Sequence, residues 1–297
     1  MNTPLAASYT HCQKVARRAA RNFFYSFLVL PRAKRRAMYA LYAFLRHTDD
    51  LGDSQQPLAA RRAALAHWRD SLAAALRGQF DSPILPALAD TVARYAIPPA
   101  CLHAVLDGVA MDLEERTYET FDDLCAYCEK VASAVGVACI HVWGFRDSAA
   151  LEPARKCGIA FQLTNILRDL KEDADCGRVY LPLEDLRRFD YSREDLTQGV
   201  HDARFCALMR FQIARAEQFY REGLELERWL TADGRAALGA MSGIYRELLD
   251  EIKRRDGDVF SGRVSVSPWR KARIAARWLL PRPASYRAWL GLGADPR

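Results

Sequence analysis

The stretch "YALYAFLRHTDDLGD", residues 39–53, joins an apolar helical run to three carboxylates that fall within five positions. Acidic side chains at the C-terminal end of a helix meet the negative end of the macrodipole and are unfavourable there. At 100° per residue, a helix places on one narrow stripe Tyr42, Arg46, Asp49 and Asp53. Asp50 lies to one side of that stripe. The pattern indicates either a solvated turn or a positively charged ligand that meets the acids.

A second segment, "TNILRDLKEDAD" at 164–175, repeats the pattern after another apolar helix. Its polar stripe consists of Gln162, Asn165, Asp169 and Asp173. Acids four residues apart are common on solvated faces, so neither stripe alone predicts a site. Two facing stripes would repel each other unless cations lay between them, and oxygen ligands with substrate phosphates suit Mg²⁺. The neighbouring arginines would hold a diphosphate by bidentate contacts or pair with nearby acids: Arg46, Arg168 and Arg178.

Composition and periodicity predict one all-α domain over residues 1–297, with a core from about 12 to 267. Half of the 297 residues are hydrophobic, and no Gly/Ser-rich linker divides the chain. Two segments with β-type residues, "GRVYLP" and "DVFSGRVSVS", are too short to found a sheet. Apolar periodicity and the positions of proline and glycine predict helices over 32–50, 58–78, 83–95, 99–118, 121–143, 152–173, 201–230 and 232–255.

The cysteines and the charges bear on location and partners. The eight cysteines are scattered, and the N-terminus lacks the apolar stretch of a secretory signal, so we expect a reduced, cytoplasmic protein.

Residues 253–287 carry ten Lys or Arg against two acids. A second basic group near the N-terminus comprises Lys14, Arg17, Arg18, Arg21, Arg32, Lys34, Arg35 and Arg36. Such groups suit an anionic membrane surface, phosphate groups or nucleic acid, and equally ordinary solvated helix faces.

Three segments, in this order and spacing, resemble the squalene/phytoene synthase family: "YALYAFLRHTDDLGD", "GVAMDLEERTYETFDDLCAYCEKVASAVG" and "FQLTNILRDLKEDADCGRVYLPLEDL". The likeness runs from about residue 12 to residue 267, and "NFFYSFLVLPRAKRRAMYALYAF" looks most like the bacterial presqualene diphosphate and phytoene synthases. The resemblance implies an isoprenoid synthase fold, a single-domain helical bundle around a central apolar cavity. It also implies head-to-head (1′–1) condensation of two prenyl diphosphates.

Site residues follow from the same resemblance. Mg²⁺, with Mn²⁺ as the alternative, is expected on Asp49, Asp53, Asp169 and Asp173. Catalytic roles are implied for Tyr42, Arg46, Tyr127, Arg168 and Tyr180. Substrate contacts are implied for Phe23, Phe27, Val131, Val135, Gln162, Asn165, Arg178, Tyr245 and Arg263.

The chain departs from the family pattern at two places. Ala19 and Asn22 stand where several relatives carry a His-x-x-Ser, which puts any diphosphate contact made by those groups in doubt. Gly52 stands where relatives often place a bulkier residue, and we expect it to loosen the last turn of its helix.

The preferred reaction is the coupling of farnesyl diphosphate to presqualene diphosphate or squalene, with NADPH needed only for squalene. The alternative is phytoene from geranylgeranyl diphosphate. An alternative of another class is a non-catalytic assembly factor with the same fold, which would be expected to lose motif carboxylates that this chain keeps. We expect a monomer that binds no nucleic acid, since no reading module is present. The basic, aromatic segment 268–297 is expected to touch the inner face of a membrane.

Overall fold

The computed structural model describes residues 4–20, 23–114 and 116–279. Within these ranges the chain is helical, and no β-strand forms beyond a single bridge between Phe145 and Leu230. The helices are α1 (Pro4–Ala19), α2 (Phe23–Phe27), α3 (Arg32–Gly52), α4 (Leu58–Ala75), α5 (Leu85–Tyr95), α6 (Pro99–Asp112), α7 (Phe121–Cys128), α8 (Ala134–Trp143), α9 (Leu151–Asp175), α10 (Leu183–Arg188), α11 (Arg193–Gln198), α12 (Ala203–Gly223), α13 (Ala232–Arg254) and α14 (Pro268–Ala276). The all-α fold expected from the sequence is confirmed.

Three predicted helices differ from the observed ones in a way that shapes the interior. The helix expected over 99–118 ends at Asp112, because the next residues turn away and the Leu183 amide donates to the Tyr118 carbonyl at 2.8 Å. The helix over 121–143 contains a π-helical turn at Glu129–Ser133. The helix over 201–230 finishes as a 3₁₀ turn, Leu224–Arg228. The sequence patterns did not predict α1, which packs on α3 and α5.

The centre of the bundle is α9, which packs against α8, α12, α13 and the π-helical turn. Two glycines allow the close contact of α9 with α8 and the π-helical turn, because a side chain at either position would collide with the backbone of the facing helix. A Cβ at Gly158 would lie 2.5 Å from the Ala132 carbonyl oxygen, and one at Gly136 would lie 2.7 Å from that of Ala154. The two helices therefore touch backbone to backbone.

A further close contact joins α3 to α6 beside the acidic stripe. Gly52 is buried and still helical, so the expected loosening of the last turn is wrong. A Cβ at Gly52 would lie 2.7 Å from Cγ1 of Val109 on α6. The glycine thus lets the end of α3 approach the end of α6, and it brings Asp49 and Asp53 towards Asp112.

The continuous helical stretch Phe121–Trp143 is long and apolar enough, by length and composition, to cross a membrane. Its residues Val137, Ala138, Ile140 and Val142 are buried in the core, and its second half packs on α6 and α9. A core helix passes the same compositional test, and this one forms a wall of the interior.

Candidate active site

Both acidic stripes open into one charged cavity of about 260 Å³, at the ends of α3, α6 and α9. Its walls are formed by Arg46, Asp49, Gly52, Asp53, Val109, Asp112, Gln162, Asn165, Ile166, Arg168, Asp169, Asp173, Arg178 and Tyr180. Asp50, which the helical geometry places to one side of the stripe, does not line the cavity. It forms an ion pair with Arg46 at 2.5 Å. Residues far apart in the chain are therefore brought together as the two stripes suggest.

The acids fall into two electrostatic classes. Asp53 pairs with Arg178 at 3.0 Å, and Asp169 pairs with Arg168. Asp49 and Asp173 have no such partner among the described residues. Asp49 is reached by solvent through the cavity, although protein atoms surround it on most sides. This burial, and then the charge of Asp53, raises its pKa to about 7.

Asp173 shows the same behaviour on the facing helix. Burial raises its pKa to about 7, the charge of Asp169 adds to the effect, and Arg178 opposes it. Carboxylates that repel one another across a shared space retain protons near neutral pH unless a cation is supplied. Asp49 and Asp173 are thus the two acids that gain most from a bound cation.

Four arginines surround these acids, and each is paired. Besides the pairs of Arg46, Arg168 and Arg178, Arg263 reaches in from the loop after α13 and binds Asp169 at 3.0 Å and Glu172 at 3.2 Å. Arginine forks suit diphosphate oxygens as well as carboxylates. The same guanidinium groups are therefore positioned to exchange carboxylate partners for a diphosphate.

Asp112 is a site residue that the sequence interpretation missed. Its carboxylate accepts hydrogen bonds from the hydroxyls of Tyr127 and Tyr180, each at 2.9 Å. Burial raises the pKa of Asp112 and of both phenols, so the tyrosines stay protonated and donate to it. A signal was available, because Asp112 is the last residue of an apolar helix and Asp49 lies in the last turn of another.

An apolar cavity of about 90 Å³ adjoins the charged one. Its walls include six of the expected substrate contacts, namely Phe23, Val131, Val135, Gln162, Asn165 and Tyr245. Gln162 and Asn165 line both cavities and so form the boundary between them. The Oδ1 atom of Asn165 is buried without a hydrogen-bond partner, which leaves one polar acceptor free at this boundary.

Four expected site residues line neither cavity. Tyr42 packs against Phe23 at a centroid distance of 6.1 Å, and Phe27 is buried behind Phe23. Tyr42 shares the stripe of Asp49 but lies seven residues earlier, about 10 Å along the helix, so it meets the aromatic wall instead. Tyr127 and Arg263 contact acids of the charged cavity, Asp112 and Asp169 respectively. Ala19 ends α1, and Asn22 lies outside the described residues.

The donors suit a hard divalent cation, although the described residues contain no group of three His, Cys, Asp or Glu side chains that already converge as a metal site. Every available donor is oxygen, from carboxylates on opposite walls and from Asn165. Mg²⁺ commonly keeps several waters and takes one or two carboxylates together with substrate phosphates. The arrangement fits Mg²⁺ on Asp49 and Asp53 from one wall and on Asp169 and Asp173 from the other.

Comparison with known proteins agrees with this architecture. Residues 16–270 match the squalene/phytoene synthase family. The chain is 38% identical over 279 residues to the 15-cis-phytoene synthase of Synechococcus elongatus, covering 90% of this chain and 91% of that one. It is 37% identical over 279 residues to the phytoene synthase of Mycobacterium tuberculosis, covering 92% and 91%.

Solved structures give the same result. A dehydrosqualene synthase superposes with a TM-score of 0.85 at 30% identity, covering 93% of this chain and 98% of that one. A squalene synthase from Alicyclobacillus acidocaldarius superposes with a TM-score of 0.80 at 27% identity, covering 86% and 97%. The chain belongs to the squalene/phytoene synthase family. It is therefore a prenyltransferase of the head-to-head class, whose members use prenyl diphosphates.

Proposed function

We propose that the chain condenses two molecules of geranylgeranyl diphosphate to phytoene. The support is the high identity, over nearly the whole chain, to relatives named phytoene synthase. The preference for farnesyl diphosphate and squalene drawn from the sequence is not confirmed, and nothing supports NADPH use. Farnesyl diphosphate remains the second candidate substrate, because a dehydrosqualene synthase is 30% identical with a TM-score of 0.85.

The observation that carries the chemistry is the junction of a charged cavity and an apolar cavity at Gln162 and Asn165. A prenyl diphosphate has the same division, with a charged head on a hydrocarbon chain. Mg²⁺, held by Asp49, Asp53, Asp169 and Asp173, would neutralise diphosphate oxygens and so assist departure of the leaving group. Arg168 and Arg178 would bind the remaining oxygens as their partners Asp169 and Asp53 turn to the cation, and Arg46, which pairs with Asp50 outside the cavity, would bind them from the wall of α3.

The reaction proceeds through carbocations, which the protein must shield from water. In the proposed sequence one substrate loses diphosphate, and its C1 attacks the double bond of the second substrate with loss of a proton. The resulting cyclopropylcarbinyl diphosphate ionises in turn and rearranges, and loss of a second proton gives phytoene. The aromatic side chains of Phe23, Phe161 and Tyr245 line the apolar cavity beside the charged one, where they would stabilise positive charge.

The tyrosine pair contributes by position. Tyr127 and Tyr180 stack at 5.2 Å and hold Asp112 through their hydroxyls. Since Asp112 lines the charged cavity with Asp49 and Asp53, the two phenols fix a fifth carboxylate beside the proposed cation ligands. Hydrogen bonds from residues outside a metal site hold its carboxylates in position and orientation.

Product analysis tests the proposal directly. Purified protein is incubated with Mg²⁺ and equal concentrations of farnesyl and geranylgeranyl diphosphate, with and without NADPH, and the hydrocarbons are separated by chromatography. Phytoene formed without NADPH is the expected result. Products derived only from farnesyl diphosphate would overturn the assignment of substrate, while release of no diphosphate from either would favour a non-catalytic member of the fold.

We also propose that the protein works in the cytoplasm at the inner face of a membrane. Trp269, at the start of α14, is 78% exposed, and Leu279 just beyond it is 62% exposed. Exposed aromatic and aliphatic side chains among basic residues favour the lipid interface. Co-sedimentation of the Trp269→Ser/Leu279→Ser variant with anionic vesicles should be weaker than that of the wild type, and equal co-sedimentation would contradict the proposal.

A further inference from the structure

A third cavity, of about 480 Å³, lies between α1, α2 and the first half of α3. It is larger than the charged cavity and shares no lining residue with either cavity of the active site. Its walls are formed by Ala6, Tyr9, Thr10, Gln13, Arg17, Phe24, Leu28, Arg32, Arg35, Arg36 and Tyr39. We call it the arginine cavity. Its four arginines all belong to the N-terminal basic group, which the proposed reaction does not use.

Four arginines line the arginine cavity, and its described lining residues include no acid. None of Arg17, Arg32 and Arg35 forms an ion pair with a carboxylate in the described part of the chain, whereas every arginine around the charged cavity does. Lys34, from the same segment, is engaged elsewhere, since its Nζ donates to the Trp143 carbonyl at 2.7 Å and pairs with Asp233 at 3.0 Å. Three of the four arginines that line the cavity are therefore cations without a carboxylate partner in the described part of the chain.

The fourth arginine is held in place by an aromatic ring. The Arg36 guanidinium lies 4.3 Å from the centroid of Tyr9, whose hydroxyl donates to Asp90 at 2.6 Å. The carboxylate of Asp90 pairs with Arg94 at 3.5 Å and forms no ion pair with Arg36 in the described part of the chain. A cation fixed in this way keeps its hydrogen-bond donors available for a ligand.

The start of α3 adds to the positive potential. Its N-cap is Pro31, no side chain caps its first turn, and that turn contains no acid. The positive end of the helix dipole is therefore uncompensated beside Arg32 and Arg35. Burial raises the pKa of Tyr39, while the charges of Arg35 and Arg17 oppose that rise.

The remaining walls are apolar. Phe24 stacks on Tyr39 with ring centroids 6.0 Å apart, and Leu28 on the same side keeps 36% of its surface exposed. A free inorganic anion would use only the arginines. A ligand that carries a hydrocarbon group beside its anionic head would also cover Phe24 and Leu28.

We propose that the arginine cavity binds a phosphate group attached to a hydrocarbon chain, at a site separate from the reaction. Two sources supply that chemistry: an anionic phospholipid headgroup and a free prenyl diphosphate. Both present phosphate oxygens to the guanidinium groups of Arg32 and Arg35 and place carbon atoms against Phe24 and Leu28. The site stands on its own residues and does not depend on which product the enzyme makes.

The test compares the wild type with Arg32→Gln/Arg35→Gln in the full-length protein. The matched control is Arg62→Gln/Arg221→Gln, which removes the same charge from exposed positions on α4 and α12. Calorimetric titrations use three probes: short-chain phosphatidylglycerol below its micelle concentration, geranylgeranyl diphosphate in EDTA, and pyrophosphate. Short-chain phosphatidylcholine serves as the zwitterionic comparison. Thermal melting and turnover with Mg²⁺ confirm that each variant is folded and competent.

We expect the cavity variant to bind phosphatidylglycerol or the prenyl diphosphate about tenfold more weakly than the control variant does. Pyrophosphate, which lacks the hydrocarbon, should bind less tightly than the affected probe. The probe that responds identifies the source, and a response from both shows that the site accepts either. Equal binding by the cavity and control variants with every probe, or no binding by the wild type, would overturn the proposal.

Discussion

The charged cavity and the apolar cavity of the active site differ in size and in the contacts among their lining residues. The charged one is open at about 260 Å³ and holds acids and arginines already in contact with one another. The apolar one measures about 90 Å³, below the several hundred that ligand pockets usually have. Under the proposed function, the diphosphate head would meet groups that already contact one another, whereas side chains such as Phe23 and Phe161 would have to move to make room for the hydrocarbon chain.

The largest expected effect comes from removing a carboxylate from the charged cavity. Asp49→Asn and Asp169→Asn should each lower turnover by at least about a thousandfold, because the proposed cation loses a carboxylate ligand and the diphosphate then loses the cation that neutralises it. Steady-state assays of diphosphate release measure this.

Asp50→Asn is the matched control for that change. It removes the same charge from the same helix at a position outside the cavity, so turnover should fall less than tenfold. Wild-type rates in both Asp49→Asn and Asp169→Asn would disprove the assignment of the cation ligands.

A smaller effect is expected from the support of Asp112. Tyr180→Phe removes one of its two hydrogen bonds and should lower kcat by about ten- to a hundredfold, with thermal stability nearly kept. Tyr191→Phe, whose hydroxyl donates to the Val200 carbonyl outside both cavities, is the control. A change in stability alone, without a change in kcat, would reduce Tyr180 to a packing residue.

The apolar cavity should respond through substrate length. Val135→Phe fills part of its space, so kcat/KM for geranylgeranyl diphosphate should fall about tenfold more than that for farnesyl diphosphate. Competition between the two substrates measures the ratio directly. Val137→Phe, two residues along and buried in the core, should instead cost about 1–3 kcal/mol of stability without changing that ratio. An unchanged ratio in Val135→Phe would remove this cavity from the path of the chain.

The smallest effect concerns stability and pH. The pKa of Asp49 in the folded protein is raised to about 7, so between about pH 4 and 7 the folded state holds more protons than the unfolded state. Stability therefore falls as pH rises through this window and levels off above it. Asp49→Asn removes the penalty and should stabilise the metal-free protein by about 1 kcal/mol at pH 8, after allowance for solvent screening, and by nothing at pH 4.

Urea unfolding in EDTA at the two pH values checks the difference, with Asp50→Asn as reference. A gain of equal size at pH 4, or a loss at pH 8, would show that the repulsion around Asp49 is not what governs its protonation.

Signals that lie close together in the sequence predicted much of this structure. Proline positions and apolar periodicity predicted the main helices, such as α3 after Pro31, because those signals lie within a few residues of each other. The spacing of 100° per residue grouped Asp49 with Asp53 and Asp169 with Asp173, and it set Asp50 aside. Where the tertiary contacts intervened, the predictions were wrong, as at Gly52, whose role is set by Val109 on another helix.

Sequence alone therefore determined the helices and which acids share a face, since periodicity is a property of the chain itself. The tertiary structure decided what those faces meet: that Asp112 joins the two acidic pairs, and that Tyr42 turns to the aromatic wall. It also set Arg178, just after α9, against Asp53 on α3, and it brought Arg263 to Asp169 from the loop after α13. It also decided that Arg17, Arg32 and Arg35 share a cavity without an acid while Lys34 is paired elsewhere. The reason is physical: a pKa, an ion pair or a cavity depends on distances between residues that are remote in sequence, and only packing sets those distances.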